Sequence, residues 1–242
     1  MPENVRLFAD PEALAAGAAD ELIAIATDAI AARGHAAIAL SGGSTPKLLH
    51  QHLAKRGRGA LAWDRVELWF GDERTVPPDH ADSNYRMARE TLIDPLGLDP
   101  ARVHRIVGDS ADHAAAAASY AAALVASLGA PPVLDLVVLG MGPDGHTASL
   151  FPGTPALAET TAWVVANPVD SPVTKGKTTR ITMTFPAIAA ARHVRLLICG
   201  ADKAARLAEV LDGPRGKYPV QEVTSADLQW FVDAAATTTK GR

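Results

Sequence analysis

The sequence has little cysteine and no excess of positive charge. Cys199 is the single cysteine in 242 residues, which excludes an intrachain disulfide and fits a reducing compartment. It ends the apolar run that starts at Val194, a setting that favours a buried, inert thiol over a nucleophile. The formal net charge of -4 leaves no uniform basic field, so we expect no nucleic-acid partner. A small anionic ligand stays compatible with this charge, because it needs only a local cluster of cations.

Long apolar segments are also lacking. Met1–Asp10 has neither the basic start nor the apolar stretch of a signal peptide. Ala114–Ala126 is nearly uncharged, but it is mostly alanine, contains Ser119 and Tyr120, and is shorter than the roughly 20 strongly apolar residues that a membrane span needs. We therefore predict a packed helix here, no membrane partner, and a cytoplasmic location.

Strand-like and helix-like segments alternate along the chain, and no repeat or low-complexity linker interrupts them. The length and the 48% of hydrophobic residues are typical of one globular domain spanning 1–242. The predicted strands are Val5–Phe8, Ala36–Leu40, Val66–Phe70, Leu134–Leu139, Ala162–Ala166, Arg180–Thr184 and Arg195–Cys199. The predicted helices are Pro11–Ala32, Pro46–Lys55, Ser83–Leu92, Ala111–Leu128 and Lys203–Leu211. This pattern predicts a three-layer α/β fold, with a Rossmann-like, open, mainly parallel sheet covered by helices on both faces, and it leaves room for a small additional β lobe.

A glycine-rich turn, Ser41–Ser44, follows the second predicted strand. In open α/β sheets, ligands bind beyond the carboxyl ends of the strands. The glycines let the backbone approach a ligand, the hydroxyls form hydrogen bonds, and the start of the next helix offers free N–H groups and a positive dipole end. We place Pro46 at the first helical position, with Ser44 or Thr45 as the cap. The spacing alone does not separate a phosphate cradle from an ordinary capped turn.

The fourth predicted strand is followed by a segment with glycines at positions 140, 142 and 145. These match the dinucleotide-binding fingerprint formally, but that fingerprint needs a long helix, and Pro152 helps to break the chain within about three turns. What remains is His146 two residues after Asp144, and histidine is suited to proton transfer at neutral pH. A polar loop with a structural histidine is the alternative. The other seven histidines show no ligand spacing with His146, so no metal site is predicted.

Charged residues lie near three other strand termini. Asp72, Glu73 and Arg74 follow the third predicted strand, where a solvated, mutually paired loop is the ordinary interpretation. Arg180 begins the sixth predicted strand, and Lys203 begins the helix after the seventh. A salt-bridged surface explains either cation singly. Together with the glycine-rich turn, the two supply the positive charge that a phosphate dianion favours.

Six separated motifs together resemble the 6-phosphogluconolactonase family. They are Ser-Gly-Gly-Ser-Thr-Pro from Ser41, Gly-Asp-Glu-Arg from Gly71, Asp-Ser-Asn-Tyr from Asp82, Gly-Pro-Asp-Gly-His-Thr-Ala-Ser-Leu-Phe-Pro from Gly142, Arg-Ile-Thr-Met-Thr from Arg180 and Gly-Ala-Asp-Lys-Ala from Gly200. They occur in the family's order, and the resemblance runs from about Phe8 to the C-terminal region. The same superfamily contains glucosamine-6-phosphate deaminase, whose loop continues after Gly-His with Phe-Asn-Glu-Pro. Here Ser149–Pro152 stands instead and lacks the carboxylate.

The resemblance implies hydrolysis of 6-phospho-D-glucono-1,5-lactone to 6-phosphogluconate, the second step of the pentose phosphate pathway. The implied phosphate-binding residues are Ser41, Gly42, Gly43, Ser44, Arg180 and Lys203. The implied catalytic residues are His146 as general base, Asp144 to orient the water or the histidine, and Arg74 to hold substrate oxygens, with Asp72 as a further candidate. The reaction needs no cofactor, and we expect a monomer or a small homo-oligomer. The alternatives are an enzyme of the glucosamine-6-phosphate deaminase or isomerase type and a noncatalytic sugar-phosphate sensor.

Overall fold

The computed structural model describes residues 3–237, which form a parallel sheet and a smaller antiparallel sheet. The strands are β1 (Val5–Phe8), β2 (Ala36–Leu40), β3 (Val66–Phe70), β4 (Asp72–Arg74), β5 (Leu136–Leu139), β6 (Val164–Ser171), β7 (Gly176–Met183), β8 (His193–Ile198) and β9 (Asp227–Asp233). Six of them form the large sheet, in the order β1-β9-β8-β5-β2-β3, and every neighbouring pair is parallel. Every residue of β2 and β5 is buried, so both faces of this sheet are covered. The predicted mainly parallel α/β fold is confirmed.

The connections between strands are mostly helical. The helices are α1 (Pro11–Arg33), α2 (Ser44–Arg56), α3 (Asn84–Ala88), α4 (Asp94–Leu96), α5 (His113–Leu128), α6 (Phe185–Ala189), α7 (Ala204–Asp212) and α8 (Ala234–Thr237). Helix α1 begins where sequence rules place it, because the Asp10 side chain accepts a hydrogen bond from the Ala13 N–H and Pro11 takes the first helical position. It ends at Gly34, whose left-handed conformation closes the last turn.

The order of strands creates a crevice at one edge of the sheet. The chain passes from β2 to β3 on one side, whereas β5 pairs with β2 on the other side. Connections that leave in opposite directions open a space beyond the carboxyl ends of two neighbouring strands, and ligands bind there in open α/β sheets. The turns that follow β2 and β5 are the two glycine-rich segments singled out in the sequence. They therefore meet at this switch point.

The small sheet corrects part of the sequence interpretation. The strands predicted at 162–166 and 180–184 are β6 and β7, which are longer than predicted and belong to an antiparallel sheet of order β4-β7-β6. Asp72–Arg74, interpreted as a loop, is strand β4 and pairs with β7. The additional β lobe left open by the sequence is thus present. Strand β9 was missed because charged residues begin and end it, although its last four residues, 230–233, are buried.

The bounds of all five predicted helices differ from the prediction, and three of the differences change the local description. Helix α2 begins at Ser44 with Gly43 as its cap, so Pro46 occupies the third position and neither Ser44 nor Thr45 is the cap. The helix predicted at 83–92 is α3 followed by a π-helical turn and then α4. Helix α7 begins at Ala204, because a 3-10 turn at 201–203 precedes it and contains Lys203.

Helix α5 contains the alanine-rich segment that the sequence interpreted as a packed helix. Ala116, Ala117 and Leu124 are buried, and the buried Tyr120 hydroxyl accepts a hydrogen bond of 2.7 Å from the Phe70 N–H. Across residues 3–237, no helix has both the length and the apolar character to cross a membrane. The prediction of a helix packed on the sheet is confirmed.

Candidate active site

A cavity of about 260 Å³ lies beyond the carboxyl ends of the parallel strands. It is lined by residues that follow β2, β3, β5 and β8, together with the ends of those segments. The lining comprises Ser41, Gly42, Gly43, Ser44, Thr45, Pro46, Asp72, Arg74, Gly140, Met141, Gly142, His146, Ala148, Leu197, Ile198, Cys199, Asp202 and Lys203. Four motifs that are distant in sequence therefore converge on one space. Of the candidates named from the sequence, Asp144 and Arg180 do not belong to this lining, and both lie next to a residue that does.

The turn after β2 presents backbone and hydroxyl groups to the cavity. Gly43 has a φ of 107°, a left-handed conformation that favours glycine, and it caps α2 without a side chain of its own. A Cβ atom on Gly42 would lie 1.9 Å from Asn84 Oδ1, so a side chain is excluded at this position too. No side-chain cap occupies the first turn of α2. The positive end of this helix is thus directed at the cavity, an arrangement suited to an anion.

Asn84 fixes the distance between this turn and the small sheet. The buried Asn84 amide donates hydrogen bonds to the Asp72 carbonyl at 2.9 Å and to Asp72 Oδ1 at 3.2 Å. The neighbouring Glu73 carboxylate accepts hydrogen bonds of 2.8 Å from the N–H groups of Asn84 and Tyr85. Burial raises the pKa of Glu73, and these backbone bonds oppose the rise. The sequence motif that contains Asn84 was recognised, but its structural role was not.

Asp72 forms part of the cavity wall and is held rigidly. Ser149 Oγ donates a hydrogen bond of 2.6 Å to Asp72 Oδ2. Ser149 is itself fixed, because its N–H donates to Thr182 Oγ1 at 3.1 Å and its carbonyl accepts from Asn167 Nδ2 at 2.9 Å. Asp72, Thr182 and Asn167 each belong to a different strand of the small sheet. That sheet therefore serves as a scaffold for one side of the cavity.

His146 and Asp144 form a hydrogen-bonded pair within a single turn. His146 Nδ1 lies 2.5 Å from Asp144 Oδ1, which also accepts a bond of 3.2 Å from the His146 N–H. Because an ionised carboxylate only accepts, the hydrogen resides on Nδ1, and Nε2 is the nitrogen that can take a proton. Burial alone would raise the pKa of Asp144, but the hydrogen bonds and charge of His146 outweigh it and lower the pKa overall. Phe151 stacks on the imidazole with ring centroids 4.0 Å apart.

Gly142 provides the space that this pair occupies. A Cβ atom at Gly142 would lie 2.1 Å from His146 Nδ1 and 2.9 Å from Asp144 Oδ1. The turn is closed by two backbone hydrogen bonds, from the Gly142 N–H to the His146 carbonyl at 2.9 Å and from the Gly145 N–H to the Gly142 carbonyl at 3.0 Å. The glycines that imitated a dinucleotide fingerprint thus shape a tight turn that holds an imidazole and a carboxylate.

Two cations line the cavity, and a third lies next to one of them. Lys203 lines it and forms a 2.9 Å ion pair with the exposed Asp202. Arg74 also lines it, and its Nη1 donates to the Asp82 carbonyl. Arg180 faces Arg74 across the β4–β7 pairing, and within residues 3–237 the buried Nε atoms of both arginines have no hydrogen-bond partner. Burial first, and the adjacent Arg74 charge second, lower the pKa of Arg180. An anionic ligand would relieve the repulsion between these two guanidinium groups.

Cys199 lies at the cavity and is half-buried, so the prediction of a buried thiol holds only in part. Burial raises the pKa of this thiol to about 11, and a neutral thiol is a poor nucleophile. Residues 3–237 contain no group of three or more His, Cys, Asp or Glu side chains placed to bind a metal ion.

The sheet order makes this chain an open, mainly parallel α/β protein, and a cavity lined by glycines and by Arg74 and Lys203 lies at the switch point of the sheet. Residues 9–232 match the model of the family described as glucosamine-6-phosphate isomerases/6-phosphogluconolactonase. The chain belongs to this family, which confirms the resemblance seen in the sequence.

Curated relatives and solved structures agree with this assignment. The chain is 39% identical to a 6-phosphogluconolactonase of Synechocystis sp., covering 87% of each chain. It is 39% identical to a 6-phosphogluconolactonase of Mycobacterium tuberculosis, covering 98% of each. The solved structure of 6-phosphogluconolactonase from Trypanosoma cruzi is similar with a TM-score of 0.86 at 29% identity, covering 100% of this chain and 98% of that one. The similarity thus extends over the whole architecture, including every segment that lines the cavity.

Proposed function

We propose that this chain hydrolyses 6-phospho-D-glucono-1,5-lactone to 6-phosphogluconate, the second step of the pentose phosphate pathway. The observation that carries the proposal is that His146, which is bonded to Asp144, and the Ser41–Ser44 turn line one cavity. A general base beside an anion-binding turn suits a substrate that has a reactive ester at one end and a phosphate at the other. The names of the relatives support the same substrate.

The phosphate would bind at the turn after β2. Its oxygens would accept hydrogen bonds from Ser41 and Ser44 and from the backbone of Gly42 and Gly43 at the positive end of α2. Lys203, which lines the same cavity, would supply a charge-assisted hydrogen bond. Arg180 pairs with Arg74 across β4 and β7 but does not line the cavity. It would contribute through its positive charge, or through a contact that forms when the ligand draws the two guanidinium groups together.

The lactone carbonyl would lie near His146. Nε2 of the neutral imidazole takes a proton from a water molecule as the water oxygen attacks C1. The carbonyl electrons move to the oxygen, and Arg74 or backbone N–H groups stabilise this oxyanion. As the tetrahedral intermediate collapses, the bond from C1 to the ring oxygen breaks and the imidazolium returns its proton to that oxygen. Asp144 holds the imidazole in one orientation and stabilises its protonated form throughout.

Asp72 is a further candidate for substrate contact. Its buried carboxylate lines the cavity, and hydrogen bonds from Asn84 and Ser149 leave it little freedom to rotate. A fixed carboxylate in this position would accept hydrogen bonds from sugar hydroxyls and disfavour an anionic group placed against it. It would therefore help to direct the phosphate toward the turn after β2.

Other features of the proposal follow from the sequence. The deaminase alternative is disfavoured because Ser149–Pro152 supplies no carboxylate where the related enzymes carry one. We propose a cytoplasmic enzyme of one domain, a monomer or a small homo-oligomer, that acts without a cofactor and without nucleic-acid or membrane partners.

A rapid assay tests the proposal directly. Freshly generated 6-phosphogluconolactone is followed with and without protein, and the spontaneous rate is subtracted. We expect a protein-dependent rate that saturates with substrate, and no ammonia from glucosamine 6-phosphate. Binding of the lactone without turnover would support the sensor alternative, and ammonia release would support the deaminase alternative. Either result would overturn the proposal.

A further inference from the structure

The turn that carries His146 is held from outside the cavity by the segment of chain that follows β8. Arg206 of α7 donates a hydrogen bond from Nε to the Pro143 carbonyl at 2.8 Å. The Tyr218 side chain packs where a Cβ atom of Gly145 would lie, at 2.7 Å from that position, and Gly145 has a φ of 80°. The Val220 N–H donates to the Gly145 carbonyl at 3.0 Å. Three contacts thus fix the residues on both sides of Asp144.

The orientation of the Arg206 side chain is fixed by contacts with Tyr218 and Glu209. Its guanidinium carbon lies 4.2 Å from the centre of the Tyr218 ring, and Nη1 contacts both the Tyr218 hydroxyl and Glu209, the latter at 2.9 Å. Glu209 also accepts hydrogen bonds from the Tyr218 hydroxyl and, at 2.9 Å, from Lys217. These bonds lower the pKa of Glu209 to about 2, so it is ionised at neutral pH. The planar guanidinium is therefore stacked on one face and bonded at its edges.

Helix α7 connects this group to another residue of the cavity lining. Lys203, which lines the cavity, lies in the turn that leads directly into α7, and Arg206 follows three residues later. One short helical segment therefore contains both Lys203, which we propose binds the phosphate, and Arg206, which is bonded to the turn that contains His146. A displacement of that turn by about 1 Å is enough to change a rate by about a hundredfold.

We propose that Arg206, seated on Tyr218, is a positioning residue for the reaction: it sets the place of His146 through the Pro143 carbonyl, without touching the substrate. The inference rests on the proposed lactonase function. It predicts that the loss of Arg206 acts on turnover through His146 and has little effect on substrate binding.

The test compares R206A with the parent chain and with R65A, whose arginine is largely exposed near the start of β3. We expect R206A to lower kcat about tenfold and to leave KM within about twofold, whereas R65A changes neither. Combining R206A with H146A should cause no further loss beyond H146A alone, because a residue that acts through the base has nothing left to position. R206K, which keeps the charge but not the planar stack, should fall between R206A and the parent chain and serves if R206A does not fold.

A second readout does not depend on activity. The imidazole resonances of His146, assigned by their loss in H146A, should shift in R206A and stay unchanged in R65A. An unaltered kcat, an equal loss with and without His146, or unshifted His146 resonances would overturn the positioning role. A parent chain without lactonase activity would overturn the proposed function instead. The His146 resonances of R206A and R65A would then decide alone whether Arg206 positions His146.

Discussion

The parallel sheet has one edge where its strands begin and one where they end, and charged groups at the two edges differ in whether the protein supplies their partners. At the edge where the strands begin, the buried Asp135 carboxylate accepts hydrogen bonds from Arg33 at 2.5 Å and from the Ala37 N–H at 2.9 Å, and it pairs with Arg192 at 3.3 Å. Both carboxylate oxygens therefore have partners within the protein. A buried charge is stable only under such conditions.

A second cluster at the same edge is closed in a similar way. The buried Arg195 bonds to Glu21 at 2.5 Å and to Asp227 at 2.6 Å, and Asp227 also contacts His193 at 2.7 Å. The charges here are matched by other charges from the chain, across elements far apart in sequence. This arrangement joins α1, β8 and β9, and the nitrogens of the Arg195 guanidinium donate to partners within the protein.

At the edge where the strands end, the cations have fewer partners within the protein. Arg74 and Arg180 face each other, and within residues 3–237 their Nε atoms lack partners, while Lys203 pairs only with the exposed Asp202 beside it. Donors that the protein leaves unmatched are available to a ligand. The comparison separates a stabilising edge, where buried charges have partners, from the working edge proposed for the ligand, where within residues 3–237 two buried guanidinium nitrogens have none.

Removing the base should have the largest effect on activity. H146A is expected to depress kcat by at least about a hundredfold while KM stays similar, because a general base acts mainly in the transition state. The measurement is steady-state kinetics on fresh lactone with the spontaneous rate subtracted. A kcat close to that of the parent chain would remove His146 from the mechanism.

Filling the space beside the base should have the next largest effect. In G142A the added methyl group would lie 2.1 Å from the His146 ring, so the ring must leave its bond with Asp144, and we expect kcat to fall about tenfold. G59A is the matched control, since nothing lies within 4 Å of a Cβ atom there. Equal activities of the two variants would show that the His146–Asp144 geometry is not required.

Removing a cation from the working edge should weaken substrate binding. K203A is expected to raise KM about tenfold with a smaller change in kcat, which corresponds to the loss of one charge-assisted hydrogen bond. R180A should raise KM less, because Arg180 does not line the cavity. K177A, on the same strand as Arg180 but exposed, serves as control. An unchanged KM in K203A would place the phosphate elsewhere.

A change at the opposite edge should leave activity intact. D135N removes the charge that pairs with Arg33 and Arg192, and we expect the free energy of unfolding to fall by about 1–3 kcal/mol. Urea unfolding measures this loss, and D64N, at an exposed pair, should show little of it. Loss of kcat in folded D135N would mean that the two edges are coupled, contrary to the comparison above.

The sequence predicted the first three strands well because their signal is local. Strands β1, β2 and β3 have the predicted bounds, since each is a short, mainly apolar segment followed by a clear helix or turn signal. Strand β9 was missed because it begins at Asp227 and ends at Asp233, so its local signal is weaker, and its pairing with β1 and β8 is visible only in the fold. The same distinction holds in the site. His146 and the Ser41–Ser44 turn were found by motif and lie in the cavity.

Residues whose partners are far away in the sequence do not belong to a local pattern that predicts their role. Asn84 is important because its side chain reaches Asp72 and lies against Gly42, twelve and 42 residues away. Arg206 contacts Pro143 across 63 residues and looks like an ordinary helix-surface arginine in the sequence. Such contacts depend on how the helices dock on the sheet, which periodicity does not specify.

The His146–Asp144 pair is enclosed in one turn of five residues, Gly142–His146, and this has a consequence for how the family can diversify. The turn brings the imidazole and the carboxylate together within five residues and is held from outside by Arg206, Tyr218 and Val220, whereas the rest of the cavity is assembled from the ends of several strands. Under the proposed mechanism, a change in the other loops that line the cavity would alter which sugar phosphate fits while the His146–Asp144 pair keeps its local geometry. Substrate choice and proton transfer would then depend on separate segments of the chain.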